Sequence, residues 1–320
     1  MFKKFQIYIY CFILISISGC RTIYDLADNI ANNFSSPERI KNKITNPIKE
    51  NVRLSALWVG HATVLIQIYD KVILTDPFFT NNIAELQKRI IEPGIDLKDL
   101  NRCDLILLSH PHFDHVNLGS LALLEDKFPD CDLVFPEGLE EFLPKLSFNF
   151  HRLKCAKQKD KIYVGETKEI NGVSITTVAA YHWGGRYGLD GLIWGCEAFT
   201  GFIIQYKDVT VYFSGDTAYD NDFFKFLGNN YKIDIEFIPI GPCKDCEKLD
   251  KRNRHVYPRG ALRILEDTKA NLMVPIHYGT IKELSDPNKP KYVLEDLLLS
   301  KPELKSRVKI LNIGEQIIIK

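Results

Sequence analysis

The sequence predicts an α+β fold in which two mixed sheets pack together beneath covering helices. Three observations lead there. Tight-turn signals at Asp70-Lys71, Asn171-Gly172 and Lys207-Asp208 join apolar, strand-like runs into hairpins at both ends of the chain. Segments with helical spacing lie between and after them. The composition, 45% hydrophobic and 26% charged over 320 residues, supplies a sizeable core, and 14 Tyr and 19 Phe against 2 Met lean toward a β-rich interior. The 41 basic and 41 acidic residues cancel, so no global basic field recruits nucleic acid, and none is expected as a partner.

The N-terminus stands apart from the fold. Met1-Phe2-Lys3-Lys4 is basic, Phe5 to Ser18 is largely apolar, and Ile17-Ser18-Gly19-Cys20 follows. That is the shape of a secretory signal, too short for a comfortable membrane span. Its end resembles the lipobox of bacterial lipoproteins. The resemblance implies a signal peptide over residues 1–19, lipidation of Cys20, and a membrane-anchored body outside the cytoplasm. Arg21 stands where an inner-membrane retention signal would have Asp. Residues 20–50 are polar and read as anchor and tether, with one short helix at Ile23–Ala31. A single domain fills 51–320, without a fixed-period repeat or an internal linker.

Within it, Leu54–Val59 reads as a strand, Gly60-His61-Ala62 as a turn, and Thr63–Tyr69 and Val72–Thr75 as a hairpin that Asp76-Pro77 ends. A loop runs toward Leu97. Asp104–Leu108 is short and apolar, hence central and buried on both faces. Asn117 caps a helix over Leu118–Glu125. Leu133–Phe135 is a strand and Glu137–Leu146 a helix. Thr167–Ile170 pairs with Val173–Val178, and Phe199–Tyr206 with Val209–Phe213. Asp222–Leu227, Tyr257–Thr268 (Pro258 in its first turn) and Val293–Leu299 are helical. Ile233–Ile238, Leu272–Ile276, Val308–Leu311 and Gln316–Ile319 are strands. Outside the cytoplasm disulfides are permitted, but Cys103, Cys131, Cys155, Cys196, Cys243 and Cys246 allow 15 pairings. Cys243 and Cys246, the close pair, are read as a local disulfide or two free thiols.

The chemistry concentrates at strand ends. Ser109-His110-Pro111-His112-Phe113-Asp114-His115 directly follows an apolar strand, and so many polar rings in a core position would each need a partner. Neutral imidazoles and carboxylates are ligands for a borderline divalent ion such as zinc. Later strands lead to His182, Asp216 and His277. Five His and two Asp suffice for two ions, with Asp216 suited to bridge them. His61 is read as bracing its loop or supporting a ligand, and His151 as a surface or core residue.

His110-Pro-His112-Phe-Asp114-His115 resembles the His-x-His-x-Asp-His signature of the metallo-β-lactamase-fold hydrolases, and His182, Asp216 and His277 match the remaining ligands in order. The resemblance implies a four-layer αββα sandwich and two zinc ions per chain. His110, His112 and His182 would hold the first, and Asp114, His115 and His277 the second. Asp216 would bridge, and Asp114 could also shuttle a proton. Redox di-iron members carry Glu where His112 stands, which favours hydrolysis.

A narrower resemblance is to the N-acylphosphatidylethanolamine phospholipase D branch. It rests on Trp58-Val-Gly-His-Ala-Thr-Val-Leu65, Leu74-Thr-Asp-Pro-Phe78, Phe213-Ser-Gly-Asp216-Thr-Ala-Tyr219, Ile238-Pro-Ile-Gly241, His255-Val256 and Pro275-Ile-His277-Tyr-Gly-Thr280. It implies hydrolysis of a phospholipid phosphodiester by a metal-bridging hydroxide, with His255 contacting the substrate. Phe113 occupies a substrate-contact position that is Tyr in animal members, so a hydroxyl contact is lost. The residue after His-Val is Tyr257 instead of an acid, and the Cys243–Cys246 segment departs from the branch's aromatic loop. A lactonase would use the same ligands, and a non-catalytic surface lipoprotein is the reading of another class.

Overall fold

The computed structural model describes residues 36–83, 87–186, 198–243, 246, 255–282 and 286–319. The signal, the Ile23–Ala31 helix, Cys20 and Cys196 lie outside the described residues. In chain order the first elements are β1 (Leu54–Gly60), β2 (Thr63–Ile68), β3 (Lys71–Thr75), β4 (Asn82–Ile83), β5 (Gln87–Lys88), β6 (Leu105–Leu107), α1 (Leu118–Lys127), β7 (Asp132–Pro136) and β8 (Asn149–Leu153). Then come β9 (Val164–Ile170), β10 (Val173–Val178), β11 (Gly201–Tyr206), β12 (Val209–Phe213), α2 (Asn221–Asn230), β13 (Ile235–Pro239), α3 (Pro258–Thr268), β14 (Leu272–Ile276), α4 (Lys289–Ser300), α5 (Pro302–Lys305) and β15 (Gln316–Ile319).

Period-two alternation sets the layers. Leu54, Ala56 and Trp58 of β1, Val64 and Ile66 of β2, Ile73 of β3 and Leu105 and Leu107 of β6 join one core. The residues between them (Leu57, Val59, Leu65, Val72, Leu74, Ile106) join a second core with Leu121 and Leu124 of α1. Apolar side chains on both faces demand a layer on each side of the sheet. One side receives α1. The other receives the second sheet, whose Ile203, Val211 and Phe237 share the first core with Phe223, Phe224 and Leu227 of α2 and Leu262 and Leu265 of α3. The sheets are ordered β15-β1-β2-β3-β6-β7-β8 and β14-β13-β12-β11-β10-β9, and both are mixed. The result is the αββα sandwich, with β6 inside its sheet as its apolar run requires.

Local chemistry explains several element ends. The Asn117 side chain accepts from Ser120 N at 2.8 Å and starts α1. Asp220 does the same for α2 through Phe223 N. Asn171 and Gly172 both adopt positive φ in the turn between β9 and β10. Among the described residues, no helix is long and apolar enough to cross a membrane.

Four expectations are corrected. Glu137–Leu146 is not a helix: only a 3-10 turn forms at Leu139–Phe142, because Pro144 holds Leu143 extended. Val308–Leu311 is not a strand; it makes a single bridge, Val308 with Met273, and then diverges. β8 is an additional strand, hidden in the sequence because it is an edge whose Asn149, Phe150 and Arg152 face solvent. Residues 38–50 are not a free tether. Ile44 and Ile48 pack on the second core, Lys43 pairs with Glu92 (2.9 Å) and Asp96 (2.8 Å), and Gln316 Nε2 donates to Pro47 O at 2.6 Å.

One buried acid has a measurable consequence. Glu236 on β13 is fully buried and accepts from Thr268 Oγ1 at 2.7 Å through one oxygen. The other has no hydrogen-bond partner among the described residues, nor has the hydroxyl of Tyr212, its register partner on β12. Burial pushes the Glu236 carboxyl from 4.5 up to about 8, against smaller opposing effects of Thr268 and Arg307. Between these values the folded chain keeps a proton that the unfolded chain has released, so stability falls as pH rises through the window and levels off above it. At ~1.4 kcal/mol per pH unit the loss reaches a few kcal/mol. Glu236→Gln is therefore expected to stabilise the protein more at pH 8 than at pH 5, measured as the difference in urea midpoint. Equal differences at both pH values would reject this.

Candidate metal centre

Six strands of the two sheets deliver polar groups to one end of the sandwich. β6 leads to Ser109 and His110, β10 to His182, β12 to Asp216, β14 to His277, β3 to Asp76 and β1 to His61. The chain turns sharply as it leaves the strands. His61, Asp76 and His277 have φ of 54°, 34° and 64°, values costly for non-glycine residues and tolerated where the surroundings fix them. Gly215, at φ 56°, could not carry a side chain, because a Cβ there would lie 2.7 Å from Ser109 Cβ.

The side chains converge as two sets. In the first, His112 Nδ1 lies 2.9 Å from His110 Nε2 and 3.2 Å from His182 Nε2. In the second, His115 Nε2 and His277 Nε2 are 3.2 Å apart, and each is 3.6 Å from Asp114 Oδ2. Asp216 Oδ2 sits between the sets, 3.2 Å from His115, 3.3 Å from His277, 3.8 Å from His182 and 3.9 Å from His110. All seven residues expected as ligands are thus in one place. His255 joins them: its Nδ1 is 3.5 Å from Asp216 Oδ2, and its side chain keeps 19% exposure at the rim. Phe113 packs with Phe78, Ile83 and Ile281, and the Arg186 guanidinium lies 4.3 Å over its ring.

The electrostatics suit cations. Burial holds His110 well below the usual imidazole range and takes His112 down to about 4, so both present lone pairs. Burial also opposes charge on His277, but Asp216 and Asp114 outweigh it and push the ring up to about 10. Asp114 and Asp216 lie well below the usual carboxylate range; burial opposes this, and the His115 and His277 rings overcome it. Asp216 Oδ1 is buried with no hydrogen-bond partner among the described residues. Converging imidazole nitrogens beside an unpartnered carboxylate oxygen form a donor set that divalent cations would satisfy.

Supporting groups fix the donors. Asp76 accepts from His115 Nδ1 (2.7 Å), Ser109 N (2.7 Å) and Ser109 Oγ (2.6 Å), which leaves His115 Nε2 facing the centre. Ser109 Oγ also contacts His110 Nδ1 at 2.9 Å. His61 Nε2 donates to Asp114 Oδ2 at 2.9 Å; burial takes this ring down to about 3, so it is neutral. His61 O in turn accepts from His277 N at 3.0 Å. The expected bracing role therefore acts on the centre itself. His151 pairs instead with Asp132 at 2.6 Å, far along the chain's other edge strand β8. Cys243 and Cys246 are joined by a disulfide.

Sequence reasoning missed Asp76, Trp183 and Arg186. Trp183 packs against the rings of His112 (4.5 Å) and His182 (4.2 Å). Arg186 is buried and donates to Pro111 O (2.8 Å) and Val116 O (3.0 Å), clamping both ends of the His112–His115 turn. Arg186→Ala should weaken metal binding about tenfold while leaving the far-ultraviolet circular dichroism unchanged. Competition against a chromophoric chelator reads this, and undiminished affinity would reject the clamp.

Comparison with known proteins adds to this geometry. Residues 71–278 match the Beta-lactamase superfamily domain. A metal-dependent hydrolase of Lysinibacillus sphaericus is 28% identical over 262 residues, 81% of this chain and 96% of that protein. The N-acyl-phosphatidylethanolamine-hydrolyzing phospholipase D 1 of Caenorhabditis elegans is 27% identical over 236 residues, 71% of this chain and 64% of that protein. The Mycobacterium tuberculosis protein Rv0906 is 25% identical over 248 residues, and the chain spans 61% of its length. In fold, the chain is similar to Igni18, a metallo hydrolase of Ignicoccus hospitalis, with a TM-score of 0.59 at 19% identity, over 83% of this chain and 98% of that one.

Proposed function

The chain belongs to the beta-lactamase superfamily, and we propose that it is a metal-dependent hydrolase, namely a dinuclear zinc phosphodiesterase of phospholipase D type acting on N-acylphosphatidylethanolamine-like phospholipids. His110, His112 and His182 would hold one ion, Asp114, His115 and His277 would hold the other, and Asp216 would serve both. Divalent cations there would supply Lewis acidity, activating water and neutralising charge that develops on phosphoryl oxygens.

The chain's own groups do the rest. Asp216 anchors both donor sets with one carboxylate, which fixes their spacing. His61 holds Asp114 through one oxygen, so Asp114 stays oriented while it relays a proton. His255 is the observation that carries the substrate reading. By the resemblance of His255-Val256 to the phospholipase D branch it would match a substrate contact, and its ring stands 3.5 Å from Asp216 with 19% exposure. A neutral imidazole there can donate to a phosphoryl oxygen, and burial lowers the affinity of this ring for a second proton. The relatedness to the nematode phospholipase supports the same class. A lipid anchor at Cys20 would hold the domain outside the cytoplasm beside such a substrate.

The test is a substrate panel on the zinc-loaded protein: N-acylphosphatidylethanolamine, phosphatidylcholine, a soluble aryl phosphodiester, an acyl-homoserine lactone and a β-lactam. Release of phosphatidic acid from the N-acylated lipid is expected. Lactone opening with every diester left intact would replace this reading by the lactonase one.

A further inference from the structure

We propose that Cys103 and Cys131 form a disulfide site, closing to a cystine when the chain folds in the presence of a small-molecule disulfide. Their sulfurs are 3.7 Å apart, and both side chains are buried in the core between the first sheet and α1, with Leu100, Leu124 and Leu133. The backbone already holds them together. Cys103 precedes β6 and Cys131 precedes β7, parallel neighbours in which Leu105 is in register with Asp132. The ladder continues one step toward the cysteines, through Asp132 N to Asp104 O at 3.2 Å. In that register Cys131 stands opposite Asp104, so Cys103 and Cys131 form a diagonal pair; a strand spacing of about 4.8 Å combined with one residue's rise of about 3.3 Å puts their Cα atoms roughly 6 Å apart, within the about 4.4–6.8 Å that disulfides span. Bringing the sulfurs to about 2.05 Å needs side-chain rotation more than backbone movement. Little opposes it, because the thiols' other contacts, to Leu105 O at 3.6 Å and Asp132 O at 3.8 Å, are weak hydrogen bonds.

The chemistry is thiol–disulfide exchange. One cysteine thiolate attacks a sulfur of oxidised glutathione and releases one glutathione thiolate. The second cysteine attacks the cysteine sulfur of that mixed disulfide, forming the Cys103–Cys131 bond and releasing the second glutathione. Two electrons pass to the glutathione disulfide, and the two cysteine protons end on the released thiols. The Cys131 sulfur beside it, together with burial, pushes the Cys103 thiol up, so exchange belongs to folding and not to the finished core. The bond would close a segment of sequence separation 28 that carries His110, His112, Asp114, His115 and α1. It is independent of the substrate reading.

The full chain in detergent is unfolded in reductant, then refolded with reduced glutathione alone or with a reduced–oxidised glutathione mixture. Free thiols are alkylated, and peptides are mapped without reduction. The oxidised sample is expected to yield the Cys103–Cys131 linked peptide as the dominant form of both residues. Its Tm should exceed that of the reduced sample by about 5–10 °C. Cys131→Ala, compared with its own reduced sample, should lose most of that increment, whatever its absolute stability; the Cys243–Cys246 bond contributes equally to both comparisons. Both cysteines alkylated after oxidising refolding, or either linked to another partner, overturns the proposal. If Cys131→Ala does not fold, the peptide map of the unsubstituted chain decides.

Discussion

Asp216→Asn is expected to cut hydrolysis by about a thousandfold or more, the upper range for deleting one electrostatic group at a reacting centre, and to lower bound metal from about two ions per chain to one or none. The amide keeps the size of the carboxylate and removes its charge. Asp216 Oδ2 lies within 4 Å of donors from both sets, His110 and His182 on one side and His115 and His277 on the other. An amide oxygen can serve one cation weakly, but its nitrogen presents protons where the buried Oδ1 now has no hydrogen-bond partner among the described residues. The apo fold should survive, because an uncharged group is easier to bury than a carboxylate. The variant is read by elemental analysis, turnover of the panel's best substrate and circular dichroism together. Retention of two ions with activity within tenfold of the unsubstituted protein would mean that the two sets are held independently of Asp216. Loss of the fold would instead place Asp216 in the architecture.

The sequence made the candidate ligands legible because their chemistry is at odds with their context. His110 to His115 crowd behind an apolar strand, and His182, Asp216 and His277 each end one. The sandwich was legible in β1, β2, β3 and β6, where alternate residues divide cleanly between two cores. Elements that lack that signal were not. Edge strand β8 faces solvent and carries no alternation worth reading. Pro144 overrode the helical spacing of 137–146 through the backbone of one residue. Arg186 looks like any surface arginine until the fold buries it against Pro111 O and Val116 O. Asp76 is the most instructive case. In the sequence Asp76-Pro77 is a strand breaker, and that remains true of the backbone. Its second role arises from the parallel pairing of β3 with β6, where Thr75 is in register with Leu107 and Asp76 N donates to Leu107 O at 2.8 Å. That pairing, between segments 33 positions apart, sets Asp76 beside Ser109.

The same position gives the second large expected effect. Asp76→Ala should destabilise the protein by about 3–5 kcal/mol, the usual cost of removing one partner from a buried ionic pair, and weaken metal binding about 10–100-fold. Three donors would lose their acceptor at once: His115 Nδ1, Ser109 N and Ser109 Oγ, all buried. Alanine would also have to hold φ 34°, which adds strain unrelated to the centre. Asp76→Asn separates the two causes. Asparagine tolerates that backbone region and can still accept from Ser109 through its oxygen, so most of the stability should return. Its NH2 group would then face His115 Nδ1, which must become an acceptor; the ring proton moves to Nε2, the atom turned toward the centre. Metal affinity should therefore stay low in Asp76→Asn even where the urea midpoint recovers. The opposite pairing, affinity restored together with stability, would show that Asp76 acts only by holding the β3–β6 loops in place. Stability and affinity both unaffected by Asp76→Ala would remove it from the centre altogether.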